Sequence, residues 1–153
     1  MERKEVINMP TSHFMNNKQR FLKALLYGLL AAVVSGIVVG YLNQLTAALV
    51  NASFPILYPI SAYIIAKAIH KAGGGINKDY AYMGAALTVF SMIISEMCTY
   101  MGFAVLIHPL DWIPALKLVC YLNFQFQGTG LISWLFMILA VYVGYNESDI
   151  SHH

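Results

Sequence analysis

The long uncharged apolar runs of this chain constrain its fold more than any other feature. The run from Leu22 to Leu42 contains one charged residue, Lys23, and the run from Tyr80 to Ile107 contains only Glu96. A helix of about 20 apolar residues spans the hydrocarbon core of a bilayer, roughly 30 Å. The chain is 59% hydrophobic and 10% charged, whereas soluble domains are about 25% charged. These patterns predict an all-α integral membrane protein.

The apolar segments divide the sequence into four predicted membrane spans, which we expect to form one membrane domain over residues 1–153. A cytoplasmic N-terminal segment, residues 1–20, precedes them, and a cytoplasmic tail, residues 146–153, follows. The spans are at about residues 22–42, 55–69, 80–107 and 128–145.

The second span is short and starts with Pro55 and Pro59. A segment of this length is too short to cross the hydrocarbon core without help. We expect it to cross either by recruiting the apolar residues 45–50 as a kinked extension, or by snorkelling of Lys67 to the headgroups.

The distribution of basic residues predicts the orientation. Cytoplasmic loops of membrane proteins carry an excess of Lys and Arg. Residues 43–54 hold no charge, and residues 108–127 hold only Asp111 and Lys117. We therefore expect an antiparallel bundle of four transmembrane helices with both termini in the cytoplasm. Lys67, Lys71 and Lys78, here called the basic rim, should meet anionic lipid. The basic residues on the predicted cytoplasmic side are Arg3, Lys4, Lys18, Arg20, Lys23, Lys67, Lys71 and Lys78.

The segment from Asp111 to Gln127 is too short and too polar to span a membrane. Asp111 is suited to cap a short helix, and Pro114 would lie in its first turn. We expect an interfacial helix between the third and fourth spans, with an ordered loop or a re-entrant element as alternatives. The residues expected to face lipid are Trp112, Leu116, Val119 and Leu122.

The first span carries small residues at four-residue spacing, here called the small-residue seam: Gly28, Ala32, Gly36 and Gly40. Such spacing lets two helix backbones approach closely in lipid, where packing drives association. The seam either holds together the bundle of one chain or forms a subunit interface.

The third span carries a matching row of hydroxyl residues, here called the hydroxyl strip: Thr88, Ser91, Ser95 and Thr99. At 100° per residue they fall on one side of the helix, within an arc of about 80°. The strip is either a packing face whose hydroxyls bond to the backbone or to a neighbouring helix, or the lining of a path.

Glu96 lies about 100° around the helix from the middle of that strip. An unpaired carboxylate in a membrane is costly, so it should be protonated, paired or in contact with water. No Lys or Arg lies at its depth in this chain, so its partner should be a hydroxyl or a basic residue of another protein. Glu96 is then a protonatable or cation-binding group, a recognition charge, or a hydrogen-bonded acid near the outer interface. The candidate hydroxyl partners are Tyr100, Tyr58, Tyr41, Ser35 and Ser133.

The sequence offers little for catalysis or for cofactors. Cys98 and Cys120 are the only cysteines and show no metal-ligand spacing, so we expect no metal and no cofactor. We expect two free thiols, with one disulfide between them as the alternative if both lie near the outer face. His108 and Asp111 lie beside the interfacial Trp112 and lack a nucleophile, so we expect no enzyme activity. The formal net charge of +2 argues against a nucleic-acid partner.

The segment from Ile60 to Phe90 contains a short helix that ends in Lys67 and Lys71, then Gly73 to Gly75, then Tyr80 or Tyr82 and a long apolar helix. It resembles a pattern in small uncharacterised bacterial multi-pass membrane proteins. The resemblance implies a protein of the bacterial cytoplasmic membrane with the topology given above, and it assigns no catalytic or ligand residue.

Two functions agree with these observations. The first is a non-enzymatic accessory, scaffold or sensor subunit that associates through its helices with itself or with a membrane partner. The second is a homo-oligomeric channel, or a proton- or cation-linked transporter, that uses Glu96 and the hydroxyl strip. Four short helices seldom enclose a path alone, which favours the first.

Overall fold

The computed structural model describes residues 17–50, 54–73, 78–124 and 129–149, and these residues form helices and short connections without a strand. A single 3-10 turn, Pro109–Asp111, lies between the fourth and fifth helices. The helices are α1 Asn17–Val50, α2 Leu57–Gly73, α3 Asp79–Met101, α4 Ala104–Ile107, α5 Trp112–Phe124 and α6 Thr129–Ser148.

Three of these helices, α1, α3 and α6, are long and apolar enough to cross a membrane. Helix α2 has 17 residues, which corresponds to a rise of about 25 Å and is shorter than a typical hydrocarbon core. The apolar residues 45–50 belong to α1, so the predicted kinked extension of the second span is wrong. No Gly or Pro interrupts the chain between Tyr41 and Val50, and α1 therefore continues well past the predicted end of the first span.

The contacts between helices give their relative directions. Gly28 of α1 lies beside Leu87 of α3, and Gly40 lies beside Cys98, so α1 and α3 run in the same direction. Gly28 also meets Ile69, near the end of α2, so α2 runs in the opposite direction. Helix α6 is likewise antiparallel to α3, because Ser148 at its end approaches Gly84.

One end of the molecule therefore holds the starts of α1 and α3 and the last turns of α2 and α6. We call it the basic end, because most of the basic residues among the described positions lie there. The ring contacts between Phe21 and Tyr80 and between Tyr82 and Tyr145 also lie at this end. Its basic side chains are Lys18, Arg20, Lys23, Lys67, His70, Lys71 and Lys78.

Helix α3 is the centre of the packing and contacts α1, α2 and α6. In the apolar 18-residue stretch of each helix that could cross a membrane, two thirds of α3 is buried, compared with one third of α1 and about one sixth of α6. The outer faces of α1 and α6 expose large apolar side chains such as Leu30 and Leu135. Large apolar side chains on the outer surface are expected when the surrounding solvent is lipid, which is itself apolar.

The third span differs from its prediction at the far end. Helix α3 ends at Met101, and Gly102 follows with φ +76°, a left-handed conformation that glycine adopts without strain. The Gly102 N–H donates to the carbonyl of Cys98. The continuous helix predicted for residues 80–107 is therefore wrong, because a glycine stop separates α3 from the single turn of α4.

The segment between the predicted third and fourth spans is helical, as α5. Its position relative to a membrane stays a prediction. Its predicted lipid face is wrong at Val119, which is buried with Ala115 against Met97 and Val105. The Trp112 indole N–H donates to the Val105 carbonyl at 2.9 Å. This bond and this packing hold α5 against the α3–α4 corner.

Candidate functional site

The strongest candidate site is the carboxyl group of Glu96, in the second half of α3. Its side chain is only 7% exposed, and it faces Tyr58, which is 4% exposed and is the second residue of α2. The Tyr58 hydroxyl donates a hydrogen bond to Glu96 Oε1. An acid and a phenol from two different helices therefore meet in the interior of the helix assembly.

The local sequence explains how Tyr58 reaches this position. Pro55 opens a turn whose carbonyl accepts the Tyr58 N–H at 3.2 Å, and α2 starts there. Ser61 Oγ donates to the Tyr58 carbonyl at 2.8 Å and adds a second bond at the same turn. The tyrosine is therefore held at a helix start, and its ring points towards α3.

A second tyrosine lies on the other side of the carboxyl group. Tyr100 follows Glu96 by four residues on α3, and its hydroxyl interacts electrostatically with the carboxyl group. The Tyr100 side chain is about half exposed. The polar groups that surround the acid are thus phenols, and within the described residues no Lys, Arg or His contributes to its electrostatic environment.

This arrangement can bind and release a proton, because a carboxyl group surrounded by hydroxyls has hydrogen-bond partners in both protonation states. Of the five hydroxyl partners expected for Glu96, the structure places Tyr58 and Tyr100 beside it. Tyr41 instead packs its ring against Phe103, and Ser35 bonds with Ser91.

The hydroxyl strip of α3 lies inside helix contacts. Thr88 Oγ1 donates to the Gly84 carbonyl at 2.8 Å, and Thr99 Oγ1 donates to the Ser95 carbonyl at 2.8 Å. The Ser91 and Ser35 hydroxyls are 3.1 Å apart and join α3 to α1. Ser95 Oγ is buried and interacts with the Tyr58 hydroxyl of α2. The strip therefore serves as a packing face in this chain.

The small-residue seam of α1 faces that strip. A Cβ atom at Gly36 would lie 2.7 Å from the Ser91 carbonyl oxygen, and one at Gly40 would lie 2.8 Å from the Ser95 carbonyl oxygen. Ala32 is fully buried, and Gly28 meets side chains of both α2 and α3. The seam packs against Ser91, Ser95 and Thr99 of the strip in a contact between α1 and α3 of the same chain, whereas Thr88 lies against α6.

A second close helix contact was missed at the sequence level. A Cβ atom at Gly144 of α6 would lie 2.3 Å from Thr88 Oγ1, and one at Gly84 would lie 2.4 Å from the Gly144 carbonyl oxygen. Ser148, one turn after Gly144, also approaches Gly84. The four-residue spacing of Gly144 and Ser148 is the signal that could have identified this contact.

The basic rim lies at the basic end. Lys67 and Lys71 occupy the exposed face of the last turns of α2, and Lys78 directly precedes α3. The Lys67 ammonium lies 5.0 Å from the centre of the Tyr63 ring. The two α2 lysines share the lining of a pocket with residues of α6, whereas Lys78 is not part of that lining.

The described residues contain no group of three or more side chains that could hold a metal ion. Cys98 is buried, Cys120 is exposed, and both are free thiols. The chain matches no family model, no curated protein and no solved structure.

Proposed function

We propose that the chain is a multi-pass protein of the bacterial cytoplasmic membrane and forms an antiparallel bundle of four transmembrane helices. The contacts of α2 with α1, α3 and α6 support its role as the fourth span, although it has 17 residues. Lys67 and Lys71 lie in its last two turns and can snorkel, which compensates for the short length. The basic end is cytoplasmic in this proposal, with both termini on that side.

Within this membrane domain we propose a non-enzymatic function, as an accessory, scaffold or sensor subunit that associates with itself or with a membrane partner. One observation carries the proposal: the small residues and hydroxyls of α1 and α3 are used for packing inside the chain. Association must then use other surfaces. Helix α6 is the best candidate for such a surface, because only about one sixth of its apolar 18-residue stretch is buried within its own chain.

The association can be tested by cysteine crosslinking in membranes, in a variant whose two native cysteines are replaced by serine. Leu135 of α6 is exposed, whereas Ala140 of the same helix is fully buried. We expect Leu135→Cys to form a crosslinked dimer, and Ala140→Cys, the matched control, to form none. A monomeric mass in detergent together with no crosslink at Leu135 would contradict self-association, and the partner would then be sought among copurifying membrane proteins.

The pair of Glu96 and Tyr58 supports a second candidate, a homo-oligomeric channel or a proton- or cation-linked transporter. The half-exposed Tyr100 beside the buried acid offers a hydroxyl towards the protein surface. Proton or cation flux into liposomes should then fall with Glu96→Gln and stay unchanged with Tyr27→Phe, which alters an exposed tyrosine of α1. Absence of flux with the unmodified protein would exclude this function.

A further inference from the structure

The last two turns of α2 form a pocket with the end of α6 at the basic end. Lys67, His70 and Lys71 stand at positions i, i+3 and i+4 and so share one face of the helix. Asn146 and Glu147 of α6 complete the lining. The cavity is about 440 Å³, within the range of roughly 300–1,000 Å³ that is common for small-molecule sites.

We propose that this pocket binds the phosphodiester headgroup of an anionic phospholipid. Two lysines and one glutamate leave the lining with one positive formal charge, when histidine is counted as neutral, and this balances one phosphodiester. The two ammonium groups, the imidazole and the Asn146 amide supply hydrogen-bond donors for phosphate oxygens. Basic pockets between helices at the cytoplasmic membrane surface are suited to lipid headgroups.

Tyr63 gives a second reason to expect a lipid. Its exposed ring lies one turn before Lys67, and the Lys67 ammonium stands 5.0 Å from the ring centre. The ring is therefore deeper in the proposed membrane than the ammonium, at the depth where the headgroup meets the acyl chains. Tyrosine is enriched at this level in membrane proteins. A soluble phosphate ion would bind the lysine ammonium groups but would make no favourable contact with the Tyr63 ring.

The placement of Glu147 predicts how affinity responds to charge. Glu147 interacts electrostatically with Lys67 and limits the positive potential of the pocket. Removing this carboxylate should strengthen the binding of an anionic headgroup, whereas removing the lysines should weaken it. This inference does not depend on the proposed association, because a monomer carries the complete pocket.

Native mass spectrometry of the full chain in detergent, titrated with phosphatidylglycerol or phosphatidylcholine, tests the proposal. Each lysine of the pocket should contribute a factor of about 5 in affinity for the anionic headgroup. Lys67→Gln with Lys71→Gln should weaken phosphatidylglycerol binding about 25-fold and leave phosphatidylcholine within about twofold. Glu147→Gln should strengthen phosphatidylglycerol binding by a few fold. All of these side chains are exposed, and circular dichroism checks that helix content is retained.

The matched control removes the same charge at the same end, with Lys18→Gln and Lys23→Gln, both exposed positions of α1. This control should retain phosphatidylglycerol binding within about threefold, because these lysines are outside the pocket. An equal loss in both double variants would overturn the pocket in favour of diffuse attraction. Displacement of the lipid by an equal concentration of inorganic phosphate would overturn the lipid as the ligand, and equal binding of both lipids would overturn recognition by charge.

Discussion

The hydrogen bond between Tyr58 and Glu96 gives the most direct test of the interior. Tyr58→Phe removes the hydroxyl and leaves the ring, so the carboxyl group loses its donor on α2 while the packing is retained. Hydrogen bonds between membrane helices contribute on average about 0.6 kcal/mol and at most about 1.7 kcal/mol. Both side chains here are more than nine-tenths buried and one carries a carboxyl group, so we expect about 1–2 kcal/mol, at the upper end of that range or slightly above it.

A double-mutant cycle separates this bond from general effects on packing. Glu96→Leu removes the acid and leaves the Tyr58 hydroxyl without this acceptor, whereas Tyr58→Phe leaves the carboxyl group with Tyr100 as its phenol partner. Each single variant therefore already loses the bond between the two helices. The combined variant leaves neither group. Its loss of unfolding free energy should therefore be smaller than the sum of the single losses by about 1–2 kcal/mol.

The unfolding free energy is measured by circular dichroism in mixed micelles with increasing sodium dodecyl sulfate. Tyr27→Phe is the control, because this tyrosine is exposed on α1, and it should change stability by less than about 0.5 kcal/mol. If the losses of Tyr58→Phe and Glu96→Leu were simply additive, the two side chains would not be coupled and the inferred partnership would be refuted.

Three further outcomes follow from the packing. Gly36→Ala should lower the unfolding free energy by about 1–3 kcal/mol, because its Cβ atom would lie 2.7 Å from a backbone oxygen of α3. The control Val34→Ala, at an exposed position of α1, should have little effect, and equal losses in the two variants would contradict the close contact. Gly102→Ala should lower the unfolding free energy by about 1 kcal/mol from backbone strain alone, since φ is +76° and no atom lies within 4 Å of the added methyl group. An unchanged midpoint in thermal unfolding would contradict the glycine stop. A water-soluble maleimide should label the exposed Cys120 and leave the buried Cys98 unlabelled in the folded protein. Mass spectrometry of the peptides measures the labelling, and a labelled Cys98 beside an unlabelled Cys120 would contradict the packing.

Much of the fold could be predicted from local pattern. The apolar runs indicate α1, α3 and α6, because a helix that satisfies its own backbone hydrogen bonds is the simplest structure for an apolar segment in lipid. The polar segment after His108 was expected to form a helix, and α5 does so. The stop at Gly102 was missed, although a glycine after a helical run is a known end signal, because the apolar sequence continues beyond it to Ile107.

The candidate site was predictable in part. Glu96 is the only charged residue in its run, and the absence of a basic residue at its depth indicated hydroxyl partners. Five hydroxyl residues then qualified, and the sequence could not choose among them. That choice depends on which face of α2 turns towards α3, and on the start of α2 at the turn after Pro55.

The sequence by itself determined the environment and the intrinsic surfaces of the helices: the long apolar runs, the single acid, the small-residue seam, the hydroxyl strip and the excess of basic residues near particular helix ends. These features depend on spacing along one helix, which the chain order specifies. Only the tertiary structure decided that the seam faces most of the strip, that Tyr58 meets Glu96, and that α2 and α6 together line a basic pocket. These are contacts between residues far apart in sequence, and they depend on the rotation and depth at which whole helices pack, which no single helix encodes.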